Sequence, residues 1–107
     1  MIEQEINSSS MKELFTGILK LKTIEECKWF FRDLCTLTEL EAMAERFQVA
    51  KMVNQEESYR TISKKTGAST ATVTRVAYWL HNGPGGYKLI LDRMKGFKQS
   101  KNRNSGN

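Results

Sequence analysis

Pro84 is the only proline in a chain of 107 residues, so nothing upstream of it obliges a helix to break. Glu, Lys, Leu, Met and Ala fill the long segments before it, while strand-favouring residues are scattered rather than alternating. An all-α fold is expected. The length suits one domain, and a hydrophobic share of 39% is enough for a modest core. No run approaches the roughly 18 consecutive apolar residues of a membrane span. The opening MIEQEINSSS lacks the basic and apolar regions of a secretory signal, and a cytoplasmic location is expected. Cys27 and Cys35 are too few for a disulfide framework or a complete zinc site, and are expected to be a buried pair of small hydrophobes.

Helix starts can be placed from capping chemistry. A serine among Ser8 to Ser10 caps a first helix carrying Met11, Leu14, Phe15, Ile18 and Leu19 at spacings of three and four. Thr23 with Glu26 forms a capping box and opens a second helix. Its residues Ile24, Cys27, Trp29, Phe30, Phe31, Leu34 and Cys35 are apolar on more than one side, broader than a surface helix of a small monomer requires. Either two neighbours or a second copy of the chain must cover it. Thr38 with Glu41 predicts a third helix running to about Val53, with apolar Leu40, Met43, Ala44, Phe47, Ala50 and Val53 again stepping by three and four. Residues 54–57 form the turn that follows. Residues 1–10 read as a flexible N-terminus, 11–95 as a helical domain, and 96–107 as a disordered basic tail.

The segment Ser58 to Leu80 is the most specific. Ser58 caps a short helix with Ile62 inward, and Gly67 supplies the positive φ of a tight turn. Ala68 tucks in, and Ser69 caps another helix whose buried side is Val73, Val76, Ala77 and Leu80. Two helices on a short glycine turn make a helix-turn-helix. The outward set Thr70, Ala71, Thr72, Thr74 and Arg75 begins with small side chains, as a helix entering a major groove requires. Threonine and alanine methyls can pack on thymine methyls. Arg60, Lys64 and Lys65 on the preceding helix are placed to clamp phosphates.

Charge agrees with that reading. Met1 to Val53 carries nine acids and seven bases, a net of −2. Asn54 to Asn107 carries three acids and ten bases, a net of +7, and after Glu57 only Asp92 opposes the cations. A one-sided basic half is the footprint of a polyanion binder.

Leu37-Thr38, Glu41 to Arg46 (EAMAER) and Gly67 to Arg75 (GASTATVTR) resemble the tryptophan repressor superfamily. With the following GPGGYKLILDRM, the chain is most similar to its YerC/YecD-type branch, over about residues 11–95. The resemblance implies six-helix subunits in an intertwined homodimer whose two helix-turn-helix heads reach successive major grooves about 34 Å apart. It carries over Arg60, Lys64, Ser69, Thr70, Ala71, Thr72 and Thr74 as contacts to double-stranded DNA, and the role of a transcriptional regulator, a repressor. Arg46 and Arg75 match the two arginines that frame the family's tryptophan corepressor and hold its carboxylate. The family's next position is glycine where this chain has Val76, and a serine near the ligand amine is replaced by Trp79. Val76 and Trp79 are therefore expected to fill the pocket, with no cofactor required; L-tryptophan or another small carboxylate is the disfavoured alternative.

Two other roles stay open at this level. One is a protein-interaction module with an acidic partner; the other is a DNA-binding factor outside transcription, as in replication initiation. Catalysis is not expected, because a single histidine, His81, leaves metal hydrolysis and triad chemistry without parts. Gly83-Pro84-Gly85-Gly86 lacks the strand and the Lys-Ser/Thr of a phosphate loop and reads as a hinge.

Overall fold

A computed structural model describes residues 5–95. Among them the chain forms six helices of at least eight residues and no strand: α1 (Ser9–Ile18), α2 (Ile24–Leu34), α3 (Leu37–Asn54), α4 (Tyr59–Thr66), α5 (Thr70–Asn82) and α6 (86–95). No helix among the described residues is long and apolar enough to cross a membrane. The expected loose N-terminus overlaps α1 at Ser9 and Ser10, and its first four residues lie outside the described range. The expected basic tail, 96–107, lies outside it too.

The capping signals act largely as expected. Ser8 Oγ accepts from the Met11 N–H at 3.3 Å and starts α1. Thr23 Oγ1 accepts from the Glu26 N–H at 3.0 Å. Glu26 returns the bond to the N–H of Lys22 at 2.8 Å, one residue before the cap. The start of α3 differs from expectation. Thr36 and Glu39, not Thr38 and Glu41, form the box: Thr36 Oγ1 accepts from the Glu39 N–H at 3.1 Å, and Glu39 Oε1 accepts from the Thr36 N–H at 2.7 Å. Two overlapping Thr-x-x-Glu pairs compete there, and the earlier one lets Leu37 and Thr38 join the helix. The Thr36 N–H, and then its hydroxyl, hold the Glu39 carboxyl below its usual range. The bond is therefore intact at neutral pH and lost as pH falls through that lowered value.

Contacts divide the chain into two compact units, Met1–Leu40 and Glu41–Asn107. In the first unit, no residue of α1 or α2 is buried. Leu19 is 83% exposed, Ile24 76% and Trp29 66%. Cys27 is exposed and Cys35 half-buried, which corrects the expectation of a buried pair. The reason is that nothing among the described residues buries this broad apolar helix.

The second unit holds the core. Val49, Ala50 and Val53 of α3 meet Ile62 of α4, Ala68, Val73, Val76, Ala77 and Leu80 on and before α5, and Leu91 of α6. Phe47, Met52 and Tyr87 pack against them half-buried. Ile62, Val49 and Val73 are the largest fully buried side chains, each worth about 1.5–3 kcal/mol of burial.

One backbone position in this unit is strained. Glu56, in the turn after α3, sits at φ 62°, while its N–H donates to the Val53 carbonyl at 2.9 Å. A left-handed residue with a Cβ costs roughly 1–2 kcal/mol relative to glycine, offset in part by glycine's larger chain entropy. Glu56→Gly should therefore raise stability by about 0.5 kcal/mol, read as a higher urea midpoint; an unchanged or lower midpoint contradicts this.

Candidate nucleic-acid interface

The two helices α4 and α5 are joined by Gly67, Ala68 and Ser69. Gly67 adopts φ 80° and donates its N–H to the Ser63 carbonyl at 2.9 Å, closing α4. Ala68 is buried, and its peptide groups are held by hydroxyls of α4. Ser63 Oγ donates to the Ala68 carbonyl, and Thr66 Oγ1 accepts from the Ala68 N–H at 3.1 Å. Thr66 Oγ1 in turn donates to the Ile62 carbonyl at 2.8 Å. Ser69 then caps α5, accepting from the Thr72 N–H at 3.1 Å and donating to Thr72 Oγ1 at 3.1 Å.

This arrangement leaves Thr70, Ala71 and Thr74 exposed at the start of α5, with Ser69 exposed beside them and Thr72 half-buried. The Ser69 and Thr72 hydroxyls are already engaged with each other, so an external contact would have to share or break that bond. Arg60 and Lys64 are exposed on α4, and neither makes an ion pair among the described residues. Lys65 differs from them: its Nζ lies 3.0 Å from Glu57 Oε1. Like α1, neither α4 nor α5 has an acidic residue in its first turn, whereas α2 has Glu25 and Glu26 and α3 has Glu39. A helix N-terminus carries partial positive charge that an acid there would answer.

A second feature lies at the far end of α5. Arg46, Arg75, Val76, Trp79, Pro84, Gly86 and Tyr87 line a cavity of about 580 Å³. Arg46 and Arg75 are both exposed, and neither has an acidic partner among the described residues. Val76 is buried; Trp79 is 47% exposed and meets Tyr78 edge-on, ring centroids 6.0 Å apart. The Trp79 ring lies over the backbone of Gly83: a Cβ there would collide with the Trp79 carbonyl oxygen and stand 2.9 Å from Trp79 Cε3. Residue 83 must be glycine for want of space, although its φ of −82° would suit any residue.

Of the residues singled out from the sequence, Arg60, Lys64, Ser69, Thr70, Ala71 and Thr74 are exposed on this pair and Thr72 is half-buried, while Arg46, Arg75, Val76 and Trp79 line the cavity. The sequence did not place Pro84, Gly86 and Tyr87 in the cavity. They stand apart from Arg46 in the chain, and only the return of the chain after Gly83 brings them together. Among the described residues, no cluster of three or more His, Cys, Asp or Glu side chains is placed to hold a metal.

Comparison with known proteins agrees with this geometry. The model of the family described as Trp repressor protein matches residues 9–95. The chain is 43% identical over 91 residues to uncharacterized protein YerC of Bacillus subtilis (strain 168), covering 85% of this chain and 88% of the relative. It is 32% identical over 105 residues to the Trp operon repressor homolog of Chlamydia caviae, covering 97% of each. The crystal structure of a TrpR like protein from Eubacterium eligens superposes with a TM-score of 0.83 at 39% identity, over 86% of this chain and 95% of that one. These likenesses run through both helices of the exposed pair and through the cavity walls, and by them the chain belongs to the Trp repressor family of DNA-binding regulators.

Proposed function

We propose that the chain is a sequence-specific transcriptional regulator, a repressor, that reads the major groove of double-stranded DNA as a homodimer through α4 and α5 as a helix-turn-helix. The observation that carries this is the exposed start of α5, edged by Thr70, Ala71 and Thr72 and flanked by Arg60 and Lys64, which make no ion pair among the described residues. Small side chains let the helix end approach base edges, while the arginine and lysine hold phosphates on either side. Thr74 extends the reading edge by one turn, and Ser69 adds its backbone and hydroxyl at the cap.

The homodimer is supported by the unburied apolar faces of α1 and α2. Residues such as Leu19, Ile24 and Trp29 cannot stay in water without cost, at about 25 cal/mol per Å² of apolar surface. A second copy carrying the same faces covers both. Binding to a duplex should weaken steeply as salt rises, because each neutralised phosphate releases condensed counterions. Fluorescence anisotropy at several salt concentrations tests this. A salt-insensitive interaction would contradict the DNA reading and favour an acidic protein as the partner.

Regulation by L-tryptophan is not part of this reading. Val76 and Trp79 line the cavity of about 580 Å³ beside Arg46 and Arg75 rather than closing it, and their bulk, at positions where the family has a glycine and a serine, disfavours an indole there. Isothermal titration with L-tryptophan should therefore show no saturable heat in the micromolar range, and saturable micromolar binding would contradict this reading.

A further inference from the structure

We propose that Ser63 and Thr66 are positioning residues that set how well the protein discriminates between DNA sequences, an inference that rests on the DNA-reading function above. Neither side chain belongs to the exposed edge of α5. Both are half-buried on α4, and both reach across the turn to one residue, Ala68. The Ser63 hydroxyl donates to the Ala68 carbonyl, and the Thr66 hydroxyl accepts from the Ala68 N–H at 3.1 Å. The Ala68 methyl is 3% exposed in the core. The residue before the cap of α5 is therefore held at its N–H, its carbonyl and its side chain.

These bonds matter because of what the start of α5 must do. Further along α5, Val73, Val76, Ala77 and Leu80 anchor the helix by packing alone, which resists translation less sharply than directional hydrogen bonds do. The first turn, with Thr70, Ala71 and Thr72, lies next to Ala68, so the two hydroxyls control the position of the reading edge most directly. Contacts to base edges tolerate displacements of only about 0.5 Å. Phosphate contacts from Arg60 and Lys64 ride on long, rotatable side chains that follow such a shift. Loosening the clamp should therefore degrade discrimination while sparing general affinity. A purely structural role would instead weaken binding to every duplex alike.

The test uses the full chain with a duplex obtained by selection from random sequence and a scrambled duplex of the same length. Ser63→Ala and Thr66→Val remove the clamping hydroxyls at nearly constant volume; Ser63→Thr and Thr66→Ser keep them. Losing one such hydrogen bond is worth about 1 kcal/mol, which corresponds to a roughly fivefold fall in the ratio of the two affinities. Ser63→Ala and Thr66→Val should each show that fall, with scrambled-duplex affinity and salt slope unchanged. The hydroxyl-retaining variants should stay within about twofold of the unaltered protein. If one variant fails to fold, the other carries the test. An unaltered ratio in Ser63→Ala or Thr66→Val, or a loss shared equally by both duplexes, would overturn the assignment. Equal binding of both duplexes by the unaltered protein would overturn the DNA-reading function itself.

Discussion

Truncating Ile62 to alanine should destabilise the fold by about 3 kcal/mol, within the range of 2–5 kcal/mol that buried isoleucine truncations cost. Ile62 is fully buried, as are Val49 and Val73, and it is the one residue of α4 in the core. Removing its outer carbons leaves a void between α3 and α5 that neighbouring side chains can only partly fill. Against a total stability of roughly 5–15 kcal/mol, a loss of that size lowers the urea midpoint markedly. Trp29→Ala gives the informative contrast, because Trp29 is mostly exposed in the single chain. A solvated residue would cost at most about 0.5 kcal/mol. If a second copy covers α2, the cost is several times larger, and stability itself falls as the protein is diluted. Sedimentation of the unaltered chain should give twice its 12.3 kDa mass. A 12.3 kDa species at micromolar concentration would contradict the homodimer.

Replacing Arg60 and Lys64 together by alanine should have the largest effect on binding. Each side chain is exposed and makes no ion pair among the described residues, so each is available to one phosphate. In a homodimer every substitution removes two contacts, and the salt slope should flatten by about 1.8 per residue replaced. Affinity near physiological salt should fall by roughly 10- to 1,000-fold, and by a similar factor for every duplex sequence. Lys65→Ala is expected to do much less, since Lys65 is already paired with Glu57. Thr70→Ala and Thr72→Ala should act in the opposite manner, relaxing sequence preference while leaving the salt slope alone. Equal effects from the two groups would remove the distinction between holding the backbone and reading bases.

How much of this was legible in the sequence follows the range of the interactions involved. Ser58, Gly67 and Ser69 act within four residues of themselves, and the ends of α4 and α5 fall where those residues predict. The inward set Ile62, Ala68, Val73, Val76, Ala77 and Leu80 is also buried as expected, because helical periodicity determines a face once the ends are known. The start of α3 was ambiguous for a local reason: Thr36-Glu39 and Thr38-Glu41 satisfy the same pattern, and only the hydrogen bonds choose between them.

Other features depend on partners distant in the chain. Val49 is fully buried although the helical stripe predicted for α3 passes it by; it joins the buried cluster with Ile62 and Val73, which the spacing within α3 alone does not show. The hydroxyl clamp on Ala68 is invisible in a pattern of apolar residues, because Ser63 and Thr66 read simply as polar positions on a short helix. The cavity was half legible: Arg46, Arg75, Val76 and Trp79 came from a family resemblance, while Pro84, Gly86 and Tyr87 required the chain's path after Gly83. The exposure of Cys27 is not legible in the sequence, because the breadth of apolar residues on α2 signals a need for cover without showing whether the described residues supply it.

Unbiased selection of duplexes from a random pool by the full-length protein tests the central claim most directly. A dimer presenting two α5 helices should enrich a pseudo-palindrome whose half-sites lie about 10 base pairs apart, one turn of the double helix. A pool that stays random after repeated rounds, or enriches a single undivided site, would contradict it.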